Sequence, residues 1–329
     1  MTLPVNKTLP VNICVVGLGG SGGNTVTRFM ERTDLQQYGE NLRTIIANTD
    51  ALAVEKAQAQ HRLVIGRNIT HGQGAGSQPL QGKLAAEENL EEIVELIGNP
   101  DLVLLTCGLG GGTGTGSLPV VANGLRKAHP EMLIVSLVTI PFKDEGVTRM
   151  ANAMIGLREI YDLSDMTIVN SNDILVQLCP RLSLTSAFKV QDRIISDFIE
   201  GIIRLVTIAG IFNVDFADFK TVAEKSGFGH IGFGYGRTAE EAVETAMDNR
   251  LLDYDFNMAK AVLLNLECPK HEEVEKIHKI TSSISKKYKI RNIRFGLKLL
   301  DISHPRAMVV FAGVNSGITR QLCGVPIRR

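Results

Sequence analysis

A glycine-rich segment, residues 108–117, follows directly after the apolar run Leu102–Leu105. Between Gly110 and Gly116 the sequence consists of glycine and threonine only, so the segment has almost no side chain to bury in a core. Glycine permits positive φ and close backbone approach, and the N–H groups of the loop can therefore converge on an anion. The sequence predicts a strand before the loop and a helix after Pro119. The loop would then lie at a helix N-terminus, where the helix dipole favours phosphate.

Two other interpretations of this loop are less consistent with its sequence. A Walker P-loop ends in Gly-Lys-Ser/Thr, and this segment contains no lysine. A flexible linker would not follow a buried strand or alternate glycine with threonine. A phosphate-binding loop is therefore the prediction.

Composition places the chain among soluble globular proteins. It has 329 residues, of which 44% are hydrophobic and 21% charged, and this length suits two domains. No apolar run approaches the roughly 18 residues of a membrane span. The N-terminus has no signal-peptide pattern, and the five cysteines form no Cys-x-x-Cys pair, which indicates a reducing cytoplasm and argues against a zinc site.

Charge is unevenly distributed although the net charge is zero. Residues 270–329 contain 13 Lys and Arg against 4 Asp and Glu, a local balance of +9. Such a segment is consistent with an acidic partner, with a contact to another copy of the chain, or with a solvated face. A nucleic-acid-binding protein is a further alternative, and retention on DNA at ~150 mM salt would identify it.

Strand-like and helical segments alternate through the first half of the chain. Short apolar runs at 11–16, 43–47, 63–65, 102–106, 132–140 and 167–170 predict six strands, with glycine-rich loops after several of them. Residues 82–97 predict a single helix with acidic residues on its exposed face. This pattern is typical of an open, mostly parallel α/β sheet that binds its ligand at the carboxyl ends of the strands.

The second half of the chain predicts different elements. Residues 186–209 are apolar around nearly the whole helix circumference, so we expect a long buried helix. After it, helices at 216–225 and 238–249, a basic helix at 271–287 and strands at 261–266, 293–300 and 308–313 indicate a separate α+β domain. The run 227–236 is interpreted as a closely packed strand, with a second anion loop as the alternative and His230 as a weak ligand candidate.

The first glycine loop by itself fits a dinucleotide-binding fingerprint, Gly17-x-Gly19-x-x-Gly22. That fingerprint also requires an acidic residue about 20 positions further on. Asp50 lies 33 positions after Gly17, which is too far along the chain for this fingerprint. A dehydrogenase also has no use for the larger loop at 110–116. The Rossmann dehydrogenase is therefore a poor alternative.

Taken together, the loops resemble the tubulin/FtsZ superfamily of filament-forming GTPases, and most closely its FtsZ branch. Residues 110–116 match the family signature GGGTGTG in full, and residues 19–24 resemble GGGGGN with serine at position 21. Residues 48–51 match the family's second loop, and residues 74–76 match its third. The third loop then departs from the family pattern, because Gln78 and Leu80 stand where Asn and Glu are usual. The synergy loop, 213–218, matches without change. The resemblance covers about residues 12–314.

The resemblance implies a role for each matching residue. The phosphate-binding loops would comprise Gly19, Gly20, Ser21, Gly22, Gly23, Asn24, Asn48, Asp50, Gly74, Ala75, Gly76, Gly110, Gly111, Gly112, Thr113, Gly114, Thr115 and Gly116. Pro141, Glu145 and Arg149 would lie at the ribose, and Asn172, Phe188 and Asp192 at the guanine base. Asn213, Asp215 and Asp218 would act on the nucleotide of the next subunit.

Elementary chemistry is consistent with two of these roles. A carboxylate at position 192 can accept hydrogen bonds from N1–H and N2–H₂ of guanine, which adenine lacks; the alternative is a helix-surface carboxylate. Asp215 and Asp218 share one face of a helix start, where N-terminal capping is the alternative.

We therefore predict a cytoplasmic GTPase that polymerises head to tail, in cell division or cell shape, with GTP/GDP and Mg²⁺ as cofactors and no metal ligands from side chains. A non-hydrolysing GTP-binding scaffold is the second hypothesis. The predicted partner is the chain itself, with a membrane adaptor or other division proteins left open, no nucleic acid and no membrane span. The predicted segments are a flexible tail at 1–11, a GTP-binding domain at 12–184, a central helix at 185–209, an α+β domain at 210–315 and a short tail at 316–329.

Overall fold

A computed structural model of the protein describes residues 11–317, apart from 179–180, 182, 209, 213, 249–253, 271–278, 281, 283–289 and 291, and also residue 319. Its strands are β1 Ile13–Leu18, β2 Leu42–Asn48, β3 His61–Val64, β4 Leu102–Gly108, β5 Leu133–Ile140, β6 Met166–Ser171, β7 Gly227–Tyr235, β8 Tyr254–Asp255, β9 Ala261–Pro269, β10 Ile293–Leu300, β11 Arg306–Ala312 and β12 Asn315–Ser316. Its helices are α1 Gly19–Arg32, α2 Ala51–Lys56, α3 Arg67–Thr70, α4 Pro79–Glu88, α5 Leu90–Ile97, α6 Thr113–Ala128, α7 Val147–Tyr161, α8 Asp173–Leu178, α9 Leu184–Thr207, α10 Phe216–Ala223 and α11 Ala239–Asp248.

Ten of these strands form one sheet in the order β10-β9-β11-β7-β6-β5-β4-β1-β2-β3. From β3 to β7 every neighbouring pair is parallel, and β11 is antiparallel to both β7 and β9. The central strands β1, β4 and β5 are almost wholly apolar and buried, as both-face coverage by helices requires. The predicted mostly parallel α/β fold is confirmed.

The two halves of the chain are joined within this sheet. β6 and β7 pair in parallel over three residues, from Met166–Gly227 to Ile168–Gly229. The second half then contributes the mixed sheet of β7, β11, β9 and β10. The domain boundaries predicted from sequence stay a prediction.

The long helix α9 runs between the two halves. The side chain of Ser183 caps it by accepting a hydrogen bond from the Ser186 N–H at 3.2 Å. Ile199, Ile202 and Ile203 are fully buried, whereas Arg193 is exposed. The helix is therefore buried along most of its circumference and keeps a polar strip.

Two helix boundaries differ from the prediction. A single helix over 82–97 is wrong, because Asn89 interrupts it and separates α4 from α5; its side-chain oxygen accepts from the Gly66 N–H at 2.8 Å. The helix predicted after Pro119 already begins at Thr113, inside the glycine loop, and carries Pro119 within it.

Close packing explains the glycines of β7. A Cβ atom at Gly232 or Gly234 would lie 2.0 Å from a carbonyl oxygen of α11. The interpretation of this run as a closely packed strand is confirmed, and the alternative of an anion loop is wrong. Most of the basic helix predicted at 271–287 lies outside the described residues.

Candidate functional site

Two helix N-termini meet at the carboxyl edge of the sheet. β1 and β4 are neighbours; β1 leads directly into α1 at Gly19, and β4 leads through residues 109–112 into α6 at Thr113. A Cβ atom at Gly19 would lie 2.9 Å from the Gly114 nitrogen, so the two helix starts touch. They open onto a cavity of about 460 Å³. Unpaired N–H groups and two helix dipoles directed at one cavity suit a polyphosphate.

The glycines of the two loops differ in what surrounds them. At Gly20 and Gly111 an added Cβ would meet nothing within 4 Å, and both residues line the cavity. At Gly22 and Gly116 it would lie 2.2 and 2.0 Å from a carbonyl oxygen of the chain. Gly110 instead has a φ of +97°, which disfavours other residues. Some glycines therefore keep space for a ligand, and others permit the elements to pack.

The second loop (48–51) and the third loop (74–76) support the glycine loop at 110–116. Thr49 and Thr113 form a buried hydroxyl–hydroxyl hydrogen bond of 2.6 Å. The Gly74 N–H donates to the Thr49 carbonyl at 3.2 Å, and Ala75 packs against Gly112. Asp50 caps α2 by accepting from the Ala53 N–H at 3.1 Å.

A charged pair borders the cavity on the side of α7. Arg149 donates to the carboxylate of Glu145, and both side chains line the cavity. The other oxygen of Glu145 accepts from the Phe142 N–H at 2.9 Å, which fixes the carboxylate. This pair offers a donor and an acceptor of the kind that a sugar hydroxyl requires.

An aromatic ring and polar groups form the opposite side. Phe188 is 39% exposed, and the Phe142 ring packs edge-on against it at 5.8 Å between centroids. Burial raises the pKa of Asp192 to about 6, and the nearby positive charge of Arg28 limits that rise. The Asn172 side chain is buried, and its oxygen has no hydrogen-bond partner. A planar base with donor groups on its edge would fit between these residues.

The structure brings together most of the residues predicted to bind nucleotide, but not all of them. The cavity is lined by Gly20, Ser21, Asn24, Gly111, Gly112, Thr113, Gly114, Pro141, Glu145, Arg149, Asn172, Phe188 and Asp192. An adjoining cavity of about 470 Å³ is lined by Gly19, Gly23, Asn48 and Asp50, and it shares Gly20 and Asn24 with the first. The lining of neither cavity includes Gly22, Gly74, Ala75, Gly76, Gly110, Thr115 or Gly116.

Sequence reasoning missed several contributors to this site, among them Leu18, Gly108 and Leu109, which line the cavity. Thr139 and Gln191 line the cavity, and Phe142 packs on Phe188. Gln191 directly precedes Asp192 and lies three residues after Phe188, a spacing that places all three on one helix face. That spacing was the available signal.

The predicted catalytic acids lie at the opposite edge of the sheet. Lys220 of α10 donates to the Glu131 carbonyl at 2.9 Å, just before β5 begins, whereas the cavity meets β5 at its other end through Thr139. A strand of eight residues is about 26 Å long. Asp215 and Asp218 therefore cannot reach the cavity of their own chain.

Both acids act as caps in the isolated chain. The Asp218 N–H donates to the Asp215 carboxylate at 2.9 Å, and the Asp215 N–H donates to Asp218 at 3.4 Å. The capping alternative is thus confirmed as a structural role. Asp218 is also 3.3 Å from Arg294. Asn213 lies outside the described residues.

The basic C-terminal segment is partly engaged within the chain. Arg306 pairs with Glu267, and Lys298 donates to the Arg204 carbonyl at 2.8 Å. Most of its other charged residues lie outside the described part of the chain. Within that part, no helix has both the length and the apolar character needed to cross a bilayer.

Comparisons with known proteins agree with this architecture. Residues 12–180 match the model of the tubulin/FtsZ family GTPase domain. Cell division protein FtsZ 1 of Methanocaldococcus jannaschii is 40% identical over 83% of this chain and 74% of its own length. Cell division protein FtsZ 1 of Pyrococcus horikoshii is 39% identical over 94% of this chain and 83% of its own. An empty FtsZ dimer of M. jannaschii superposes with a TM-score of 0.82 at 37% identity, covering 93% of this chain and 89% of that one.

A nucleotide cavity between two helix N-termini, on a fold of this topology, defines a GTPase of the tubulin type. The chain belongs to the tubulin/FtsZ family.

Proposed function

We propose that this chain binds GTP with Mg²⁺, assembles head to tail with copies of itself, and hydrolyses GTP where two copies meet. The observation that carries this proposal is the separation of the site into two parts. The cavity lies at the carboxyl edge of the sheet, and Asp215 and Asp218 lie at the amino edge. Only a second copy can bring such acids to the nucleotide.

The bound nucleotide would be held by three groups of residues. The starts of α1 and α6 bind the phosphates through backbone N–H groups. Glu145 and Arg149 contact the ribose, and Phe188, Asp192 and Asn172 contact the guanine. Mg²⁺, when bound, neutralises phosphate charge and is held largely by phosphate oxygens and water. Phosphoryl transfer then depends on positioning and charge stabilisation more than on covalent chemistry.

The acids of the next copy would orient the attacking water. In the isolated chain they hydrogen-bond each other's backbone, so the capping box holds both carboxylates at fixed positions on the start of α10. The relatives are named as cell division proteins, and we extend that role to this chain. A cytoplasmic location, and a role in cell shape as the alternative, belong to the same proposal. Further partners at the membrane belong to the same proposal.

The test is phosphate release measured against protein concentration. We expect turnover per chain to rise steeply above an assembly threshold and to vanish below it. Asp215→Asn keeps an N-cap side chain and should bind GTP normally, while turnover falls about 100-fold. Mixing it with Asp192→Asn, which lacks nucleotide but keeps the acids, should restore part of the activity. Constant turnover per chain on dilution would place catalysis within one subunit.

One observation favours a second function, a GTP-binding scaffold that does not hydrolyse. The ion pair between Arg294 and Asp218 would have to open before Asp218 could orient water. Filaments that form with GTP yet release no phosphate would identify this scaffold. In that case Arg294→Gln should increase phosphate release.

A further inference from the structure

Gln191 is a buried polar side chain without a partner. It is 4% exposed, and neither its side-chain oxygen nor its nitrogen has a hydrogen bond. An amide can make up to four hydrogen bonds, and burying it without any costs several kcal/mol by transfer to a non-polar medium, or about 1–3 kcal/mol from mutational data. A residue of this kind requires a partner that the unliganded chain lacks.

The position of Gln191 indicates where that partner binds. Among the described residues, the buried side chains with unpartnered polar atoms that line the nucleotide cavity are Asn172 and Gln191. Gln191 follows Phe188 by three positions and precedes Asp192 by one, so all three share the face of α9 directed at the cavity.

The chemistry of the base leaves one role open on this face. The Watson–Crick edge of guanine presents two donors, N1–H and N2–H₂, and one acceptor, O6. A carboxylate at Asp192 accepts from the donors but cannot serve O6. The amide nitrogen of Gln191 is a donor on the neighbouring helix position.

We propose that Gln191 is a specificity residue whose side-chain amide donates to O6 of guanine beside Asp192. This inference rests on the proposed binding of GTP. Rotation about the side-chain torsions would turn the amide from its buried position toward the base. Binding would thus satisfy a group that the unliganded fold leaves unpaired.

Gln191→Met tests the proposal, because methionine has nearly the same length and no hydrogen-bonding amide. We expect two opposite effects. The thermal midpoint of the nucleotide-free protein should rise, since an unpaired buried amide is removed, and the affinity for GTP in calorimetry should fall about three- to tenfold. A purely structural glutamine would change stability alone.

Modified nucleotides identify the atom that is read. The wild-type chain should bind 6-thio-GTP more weakly than GTP, and this preference should vanish in Gln191→Met. Inosine triphosphate, which lacks the N2 amino group, should lose the same factor in both proteins because Asp192 reads that group. Gln191→Glu, whose carboxylate would repel O6, gives a second variant should the methionine disturb folding.

The outcomes are separable. Gln191→Met and Gln191→Glu that bind GTP as tightly as wild type would overturn this inference while leaving the proposed function intact. A wild-type chain that binds neither GTP nor GDP would overturn the proposed function itself. An unchanged preference for GTP over 6-thio-GTP in Gln191→Met would show that Gln191 does not donate to O6.

Discussion

Gly111 and Gly116 lie five positions apart in one motif, yet a methyl group would meet open space at Gly111 and a carbonyl oxygen at 2.0 Å at Gly116. Gly116→Ala should therefore destabilise the fold by about 1–3 kcal/mol through overpacking of α6 against α4. Gly111→Ala should leave the free energy of unfolding within about 0.5 kcal/mol and weaken nucleotide binding, because the methyl group enters the cavity. Urea unfolding and calorimetry measure the two effects. Equal destabilisation by both variants would contradict the assignment of Gly111 to ligand space and of Gly116 to packing.

Asp192 should make nucleotide affinity depend on pH. Its pKa is raised to about 6 by burial, and a protonated carboxyl cannot accept from both N1–H and N2–H₂ of guanine. We therefore expect constant affinity well above pH 6 and a loss approaching about tenfold per pH unit below it. Asp192→Asn should lower GTP affinity by roughly 2–4 kcal/mol and abolish this part of the pH dependence.

Ionisation of Asp192 favours GTP binding but lowers the stability of the fold. The folded pKa lies above the ordinary value of 3.8, so the folded chain binds the proton more tightly than the unfolded chain. The contribution of Asp192 to stability is therefore greatest below pH 4 and decreases as pH rises through 6.

The nucleotide phosphates also titrate, so the measurement compares two proteins. Dividing the GTP affinity of the wild type by that of Asp192→Asn at each pH isolates the effect of the carboxylate. A ratio independent of pH would exclude Asp192 as the base reader.

At the scale of elements, an ionic cluster ties α9 to the strands of the second half. Glu267 of β9 is 6% exposed at its side chain, and Arg204 of α9 and Arg306 of β11 both pair with it. Lys298 of β10 donates to the carbonyls that end α9, and burial lowers its pKa to about 8. These contacts fix the helix that connects the residues proposed to bind the base to the synergy loop.

Glu267→Ala should leave these cations without a counter-charge and destabilise the protein by about 3–5 kcal/mol in urea unfolding. Glu31→Ala removes an exposed partner of Arg28 at 3.4 Å and is the matched control. That control should cost no more than about 1 kcal/mol. Similar costs for the two variants would show that the cluster adds no more than a surface pair.

The elements also show which structural features could be predicted from the sequence. A glycine string directly after an apolar run has few structural interpretations other than a strand followed by a tight loop, so the strands and the two glycine loops after β1 and β4 could be predicted. The break at Asn89 could not, because it depends on the Gly66 N–H, a partner distant in sequence. The packing roles of Gly22 and Gly116 could not either, since glycine is the same residue whether it faces a ligand or a carbonyl. The spacing of Gln191 from Phe188 and Asp192 could have placed it at the site, but that its amide is buried without a partner is visible only in the structure.

At the scale of the whole molecule, exposed apolar side chains lie at both edges of the sheet. Ile211 and Phe212 are 63% and 51% exposed beside the synergy loop, although their backbones are held to Leu297. At the nucleotide edge, Leu52 and Leu80 are 66% and 63% exposed. These positions suit a head-to-tail contact.

Phe212→Ser should raise the critical concentration for assembly about tenfold, as expected for loss of an aromatic anchor from an interface. GTP binding by the unassembled chain should not change, because the cavity lies at the opposite edge of the sheet from Phe212. Ile155→Ser, on the flank of α7 and equally exposed at 53%, should leave assembly unaltered. Light scattering with GTP measures both variants, and an equal response would place the contact elsewhere.

If GTP is hydrolysed between two copies as proposed, a site divided between opposite edges gives a filament two chemically different ends. One terminal chain presents a nucleotide that no neighbour covers, and the other presents acids with no nucleotide to act on. A filament of n chains then contains n − 1 complete sites. The nucleotide on the uncovered terminal chain therefore stays GTP, whatever the time since assembly. A covalently linked dimer would show this directly, since it would cleave one of its two nucleotides in a single turnover and retain the other.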